Sequence, residues 1–169
     1  FIDRYRGKFD QGWDVAREQI LANQKALGIV PENTQLTDRI PEIPAWDSLS
    51  DDERKLYARQ MEVFAAQLEH VDHQIGRVVD CLERVGELDN TLIFVTSDNG
   101  ASGEGGLNGT FNETYVLNGL QTPFDASMNY LDTWGETTTY PHYHAGWAMA
   151  GNAPFRYFKQ SEHRGGQHD

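Results

Sequence analysis

Apolar residues recur at spacings of three and four through the middle of the chain, which is the pattern of a long amphipathic helix. The stripe comprises Tyr57, Met61, Phe64, Leu68, Val71, Ile75, Val78, Leu82 and Val85. The preceding Ser50-Asp51-Asp52-Glu53 has the form of a capping box and places acidic side chains in the first turn. The sequence therefore predicts one long helix that begins after Ser50, ends at Gly86 and packs its stripe against a sheet or another helix.

A shorter helix is predicted near the start of the chain, from Asp10 or Gly12 to Leu27. Its apolar face comprises Trp13, Ala16, Ile20 and Leu27. Gly28 supplies the residue type expected just past a helix end. Residues 30–49 contain prolines and few periodic apolar positions, so we expect them to form an extended surface connection between the two helices.

A continuous apolar run, Leu92-Ile93-Phe94-Val95, is followed closely by Asp98-Asn99-Gly100. Such a run is typical of a buried strand, and open α/β sheets carry their ligand sites at the carboxyl ends of strands. A carboxylate beside a carboxamide offers the oxygen ligands that calcium and magnesium prefer. The same three residue types also favour an ordinary turn. The residues alone therefore leave both a cation site and a simple turn open.

The composition changes after Gly100, because residues 101–153 are rich in Gly, Asn, Thr and aromatic residues and show no sustained periodicity. This pattern predicts a long, loop-dominated insertion beside the candidate site. Residues 154–159 then predict a short strand or a turn. His142 and His144 lie in an aromatic part of the insertion and are candidates for substrate contact, with core packing as the equal alternative.

Charge and composition limit the possible partners. The net charge of −12, from 14 basic and 26 acidic residues, argues against a nucleic-acid backbone as ligand. No apolar run is long enough to span a membrane, and the single cysteine, Cys81, allows no intrachain disulfide. The chain starts at Phe1 without a signal pattern, so we expect a part of a longer protein. Nothing in it indicates export or an oligomeric state.

Residues 88–100 are similar to the metal-binding strand of the sulfatase family, which belongs to the alkaline phosphatase superfamily. Further segments agree with the family in the same order along the chain: residues 5–14, Trp46-Asp47-Ser48-Leu49, Asp72 with Ile75-Gly76, and Lys159 six residues ahead of Gly165-Gly166. The chain resembles bacterial arylsulfatases over nearly its whole length. The resemblance implies an α/β fold with a central mixed sheet flanked by helices. It also implies that residues 1–169 are part of a catalytic domain, without its N-terminal nucleophile region or its C-terminal remainder.

The resemblance implies roles for three residues. Asp98 and Asn99 match the ligands of one calcium ion, whose remaining ligands would lie upstream of Phe1. Lys159 matches the catalytic lysine that contacts the sulfate group of the substrate. Arg164-Gly165-Gly166 departs from the Glu-Gly-Gly that family members usually have after this lysine. No motif assigns a role to His163 or His168.

The resemblance also implies a formylglycine nucleophile, made from the first residue of a Cys/Ser-x-Pro/Ala-x-Arg motif. Cys81-Leu82-Glu83-Arg84 lacks the proline and the arginine spacing of that motif. We therefore expect the nucleophile in a preceding part of the protein. This chain alone is expected to be inactive.

The expected activity is the hydrolysis of a small-molecule sulfate ester to an alcohol or phenol and sulfate. A phosphatase, phosphodiesterase or phosphonate hydrolase of the same superfamily is the alternative within the enzymes. Many of those proteins have Asp-His where this chain has Asp98-Asn99, so the asparagine favours the sulfatase hypothesis. A non-catalytic homologue that keeps the scaffold is the third possibility. The insertion at residues 101–153 is expected to select the ester.

Overall fold

The structure is a computed structural model that describes residues 1–159. The helices of this range are α1 (Gly12–Ala26), α2 (Asp51–Arg84), α3 (Thr114–Leu117), α4 (Phe124–Met128) and α5 (Ala145–Gly151). Short 3-10 turns lie at Ile2–Tyr5, Trp46–Ser48, Leu88–Asn90 and Leu131–Thr133. The two helices predicted from the sequence are confirmed as α1 and α2.

Local interactions at both ends explain the length of α2. The Ser50 hydroxyl accepts a hydrogen bond from the backbone N–H of Glu53, and the Glu53 carboxylate accepts one from the N–H of Ser50 at 2.7 Å. This reciprocal pair satisfies two amide groups that would otherwise lack partners at the start of the helix. Beyond its last turn, Gly86 has φ of +76°, a conformation that glycine adopts without a side-chain clash. The predicted capping box and glycine stop are therefore confirmed.

The apolar stripe of α2 has two different environments. Tyr57 is buried in its first half, where Met61 and Phe64 are half-buried and pack against the same core. Val71 and Val78 in the second half are exposed, Val78 to 62%. The predicted stripe therefore exists, but within residues 1–159 only its first half has a packing partner.

The core forms where α1, α5 and the first half of α2 meet. Three tryptophans occupy its centre, and the ring of Trp46 lies 4.8 Å from that of Trp13 and 5.7 Å from that of Trp147. Such edge-on aromatic pairs add to the stabilisation that burial itself provides. The core thereby fixes α5, at the end of the insertion, against α1 and α2.

The prediction that residues 30–49 form a surface connection is wrong in one respect. Its chain is irregular, as predicted, but its apolar side chains are buried in the core: Ile40, Ile43, Trp46 and Leu49. An irregular segment has no fixed side-chain period, so its buried positions produce no pattern that a periodicity argument could detect.

The predicted buried strand is not confirmed. Residues 91–97 have no strand partner, and Phe94 is 83% exposed. A strand requires a neighbour for its backbone N–H and C=O groups, and no segment among residues 1–159 supplies one. Isolated bridges pair Thr110 with His142 and Asn112 with Tyr140. The central sheet is therefore not formed by the residues described.

The insertion at residues 101–153 is mostly irregular, as predicted, and ends in α5. The small and apolar residues of α5 are almost all buried: Ala145, Gly146, Trp147, Ala148, Met149 and Ala150. Residues 154–156 form turns and bends rather than a strand. None of the helices in the described part of the chain is both long and apolar enough to cross a membrane.

Candidate functional site

A cavity of about 1030 Å³ lies beside α2 and is also lined by loop segments. Phe64 lines it from the helix, whereas Asn99, Ser102 and His142 line it from the loops. The insertion therefore forms a wall of this cavity, as expected for a loop that selects a ligand.

The dyad Asp98-Asn99 lies at the edge of the cavity. Asp98 is exposed and Asn99 is half-buried. The side-chain amide group of Asn99 donates a 2.7 Å hydrogen bond to the carbonyl of Gly100, and the Asn99 carbonyl accepts one from the Ser97 hydroxyl. The bond to Gly100 sets the orientation of the carboxamide.

Lys159 lies against the segment that follows the dyad. Its backbone N–H donates a 2.8 Å hydrogen bond to the carbonyl of Ala101. Its ammonium group lies 3.4 Å from Oε2 of Glu104, with which it forms a half-buried ion pair. The structure thus places the backbone of Lys159 against Ala101, two residues after Asn99, although the insertion separates them along the chain.

His142 lines the cavity and makes two polar contacts. Its Nδ1 lies 3.2 Å from the carbonyl of Tyr143, and its Nε2 lies 3.0 Å from the hydroxyl of Ser102. A carbonyl can only accept a hydrogen bond, so this Nδ1 contact requires a proton on Nδ1. The Ser102 hydroxyl donates to Oε2 of Glu104, so the Ser102 oxygen can accept from Nε2–H in the other tautomer.

His144 occupies the core, and its side chain does not line the cavity. It is 1% exposed and stacks on Trp13 at 4.5 Å. Its Nδ1 accepts a 2.8 Å hydrogen bond from the N–H of Gly146 and so caps α5. Burial lowers the pKa of His144 to about 3, an effect that the backbone of Leu107 partly opposes, so the ring is neutral at pH 7. Of the two possibilities that the sequence left open, the structure places His144 as a packing residue.

Two residues near the cavity were not predicted from the sequence. One potential ligand atom from each of Glu104, Glu113 and His142 lies within 4.8 Å of the other two. The three residues are far apart in an aperiodic segment, so no motif spacing connects them. They come together because residues 110–113 pair with residues 140–142 through backbone hydrogen bonds.

Comparison with known proteins gives the family of the chain. The sequence model of the sulfatase family matches residues 1–168. The chain belongs to the sulfatase family. Membership implies the alkaline-phosphatase-like α/β fold, and sulfatases are generally metal-dependent.

Individual sulfatases agree over most of the chain. An uncharacterized sulfatase of Schizosaccharomyces pombe is 38% identical over 168 residues, which cover 94% of this chain and 28% of that protein. An arylsulfatase of Klebsiella aerogenes is 32% identical over 168 residues, which cover 98% of this chain and 34% of that protein. An N-acetylglucosamine-6-O-sulfatase of Bacteroides thetaiotaomicron is 48% identical over 44 residues, 26% of this chain and 8% of that protein. The chain thus spans about a third of the length of the first two relatives.

The remaining candidates from the sequence of this sulfatase chain lie on α2 or outside the described residues. Cys81 is exposed on α2. His163, His168 and Gly165-Gly166 lie outside the described residues. The described candidates for the site are therefore the dyad, Lys159 and the cavity wall that carries His142.

Proposed function

We propose that the protein carrying this chain hydrolyses a small-molecule sulfate ester to an alcohol or phenol and sulfate. Family membership supports this reaction, and one structural observation supports the roles proposed for individual residues. The backbone of Lys159 bonds to Ala101, immediately after Asp98-Asn99-Gly100. A cation and an ammonium group at adjacent positions suit an ester whose sulfate and leaving oxygen both carry negative charge.

Asp98 and Asn99 are proposed to supply oxygen ligands for one calcium ion. The donor set fits, because a carboxylate and a carboxamide oxygen are hard ligands. The amide nitrogen of Asn99 donates to the chain itself, so the carboxamide orientation is already set. When bound, calcium would polarise the sulfate group and offset its charge.

Lys159 is proposed to contact the sulfate group as a catalytic residue. Its ammonium group is a compact charge with three donors, which suits an anion whose charge is spread over several oxygens. The ion pair with Glu104 holds the ammonium group in place before substrate arrives. His142 is proposed to contact the organic part of the substrate at the cavity wall.

Residues 91–97 are proposed to join a central mixed sheet formed with other parts of the protein. Their apolar side chains are exposed among the described residues, and a strand in this position would bury them. Such pairing would also fix the direction of the Asp98 side chain. The formylglycine nucleophile is likewise proposed to come from residues outside this chain, since no residue here has the required motif.

The test is to assay the whole protein on an aryl sulfate and an aryl phosphate, and to measure bound metals. We expect sulfate ester turnover, one bound calcium ion, and at least about a hundredfold loss of turnover in Asp98→Ala together with loss of calcium. Asp132→Ala, an exposed aspartate of the insertion, is the matched control. Wild-type turnover in Asp98→Ala would remove the metal assignment. Preferred turnover of the phosphate with two bound transition metals would indicate the phosphatase alternative.

A further inference from the structure

Glu104, Glu113 and His142 bring two carboxylates and an imidazole together, and Glu113 and His142 line the cavity. All three side chains are half-buried. This mixed nitrogen and oxygen set is typical of zinc and similar divalent transition metals, whereas the calcium proposed for Asp98-Asn99 prefers oxygen alone. We propose that these three residues bind a divalent metal of the zinc class at a site whose residues differ from the calcium dyad.

Backbone hydrogen bonds hold two of the three residues in place without any metal. The N–H and carbonyl of His142 exchange hydrogen bonds of 2.8 and 2.9 Å with Thr110, and the N–H of Glu113 donates to the carbonyl of Tyr140 at 2.7 Å. Glu113 and His142 therefore lie on two segments that are fixed to each other. A metal that binds there does not have to order the loops first, which favours affinity.

The segment of Glu104 reaches the same point because the next residue is a glycine. A Cβ at Gly105 would overlap the carbonyl of Tyr143 and would lie 2.9 Å from Nδ1 of His142. Only the absence of a side chain allows this approach. Gly105 thereby brings Glu104 beside the imidazole.

One tautomer of His142 suits a metal ligand. With the proton on Nδ1, the ring donates to the backbone carbonyl of Tyr143 and has its lone pair on Nε2. Histidines that bind metals usually donate their other N–H to a carbonyl or carboxylate in this way. Nε2 lies 3.0 Å from Oγ of Ser102, and the Ser102 hydroxyl donates a 3.1 Å hydrogen bond to Oε2 of Glu104.

Lys159 competes with a metal for Glu104. Its ammonium group is 3.4 Å from Oε2 of Glu104, and a divalent cation at the same carboxylate would repel it. Removal of this charge should therefore strengthen metal binding. This dependence distinguishes the three-residue site from adventitious binding at a surface carboxylate.

The experiment is equilibrium dialysis of the metal-stripped whole protein against zinc chloride, with metal analysis. We expect one zinc ion whose affinity falls at least about tenfold in Glu113→Gln and in His142→Ala, and rises in Lys159→Met. Glu136→Gln, an exposed glutamate of the same insertion, should bind zinc as the wild type does. Circular dichroism checks folding, and Glu113→Gln decides the test if His142→Ala does not fold.

The outcome is independent of the proposed hydrolase function, because the readout is zinc binding. Asp98→Ala should lose calcium and keep zinc, so failure of one site does not imply failure of the other. Undiminished zinc affinity in both Glu113→Gln and His142→Ala would overturn the proposal. So would the absence of any bound zinc in the wild-type protein.

Discussion

The backbone N–H of Lys159 donates a 2.8 Å hydrogen bond to the carbonyl of Ala101. Asn152 reinforces this link, because its side-chain oxygen accepts from the N–H of Ala101 and its amide group donates to the carbonyl of Tyr157, both at 2.9 Å. One buried side chain thus joins the segment after Asp98-Asn99-Gly100 to the segment that carries the lysine. The spacing between the proposed calcium ligands and Lys159 depends on a residue that has neither proposed role.

We expect Asn152→Ala to impair catalysis as well as stability. The Ala101 N–H and the Tyr157 carbonyl lose their hydrogen bonds to Asn152, so the free energy of unfolding should fall by about 1–3 kcal/mol. Because Lys159 then shifts relative to the dyad, kcat/KM on an aryl sulfate should fall about 10- to 100-fold. Asn23→Ala, an exposed asparagine on α1, is the control. An unchanged kcat/KM in a folded Asn152→Ala protein would contradict the positioning role.

We expect the buried imidazole of His144 to make stability depend on pH. Its pKa is about 3 in the folded protein against 6.5 as its ordinary value, because burial disfavours the charged form. The unfolded chain therefore binds a proton first, so this contribution is complete above pH 6.5 and is lost as the pH falls toward 3. Between pH 7 and pH 5 this one group should lower the free energy of unfolding by about 2 kcal/mol.

Urea denaturation at the two pH values measures this effect. His144→Asn is the matched variant, because asparagine also caps a helix start but does not titrate in this range. Its free energy of unfolding should be lower at both pH values, with a pH 7 to pH 5 difference about 2 kcal/mol smaller than that of the wild type. Equal differences in the two proteins would show that the ring of His144 does not titrate as its burial requires.

We expect Gly12→Ala to destabilise the protein more than Gly28→Ala does. Both glycines have positive φ, +77° and +71°, so each substitution carries a backbone strain of about 1–2 kcal/mol. A Cβ at Gly12 would also overlap the ring of Trp46, whereas nothing lies within 4 Å of one at Gly28. Overpacking adds about 1–3 kcal/mol to the loss at Gly12 only. If urea denaturation gives similar losses of unfolding free energy for the two variants, the overlap with Trp46 does not destabilise Gly12→Ala.

Local sequence determined the helices. The Ser50 capping box, the Gly86 stop and the regular apolar stripe all act within a few turns of the chain, so α2 follows from neighbouring residues alone. The glycine at position 28 likewise follows the end of α1 and has the positive φ expected there. The residues that indicate the sulfatase family are also local, because Asp98-Asn99 follows an apolar run after two residues.

Contacts between residues that are distant in sequence decided the positions of the candidate site residues in the insertion. His142 and His144 are two positions apart and have the same chemistry, yet one lines the cavity and the other is buried against Trp13. That difference arises from where α5 packs, which no spacing reveals. The approach of Glu104 to Glu113 likewise requires the pairing of two loop segments.

The sequence by itself determined α1, α2, the family and the apolar character of residues 91–97. Tertiary structure alone decided which half of the α2 stripe is buried, and it left Phe94 exposed within residues 1–159. The physical reason is that helix hydrogen bonds close within four residues of the same chain. Strand hydrogen bonds and buried apolar faces instead require a partner surface, and a sequence pattern can predict the need for that partner without locating it.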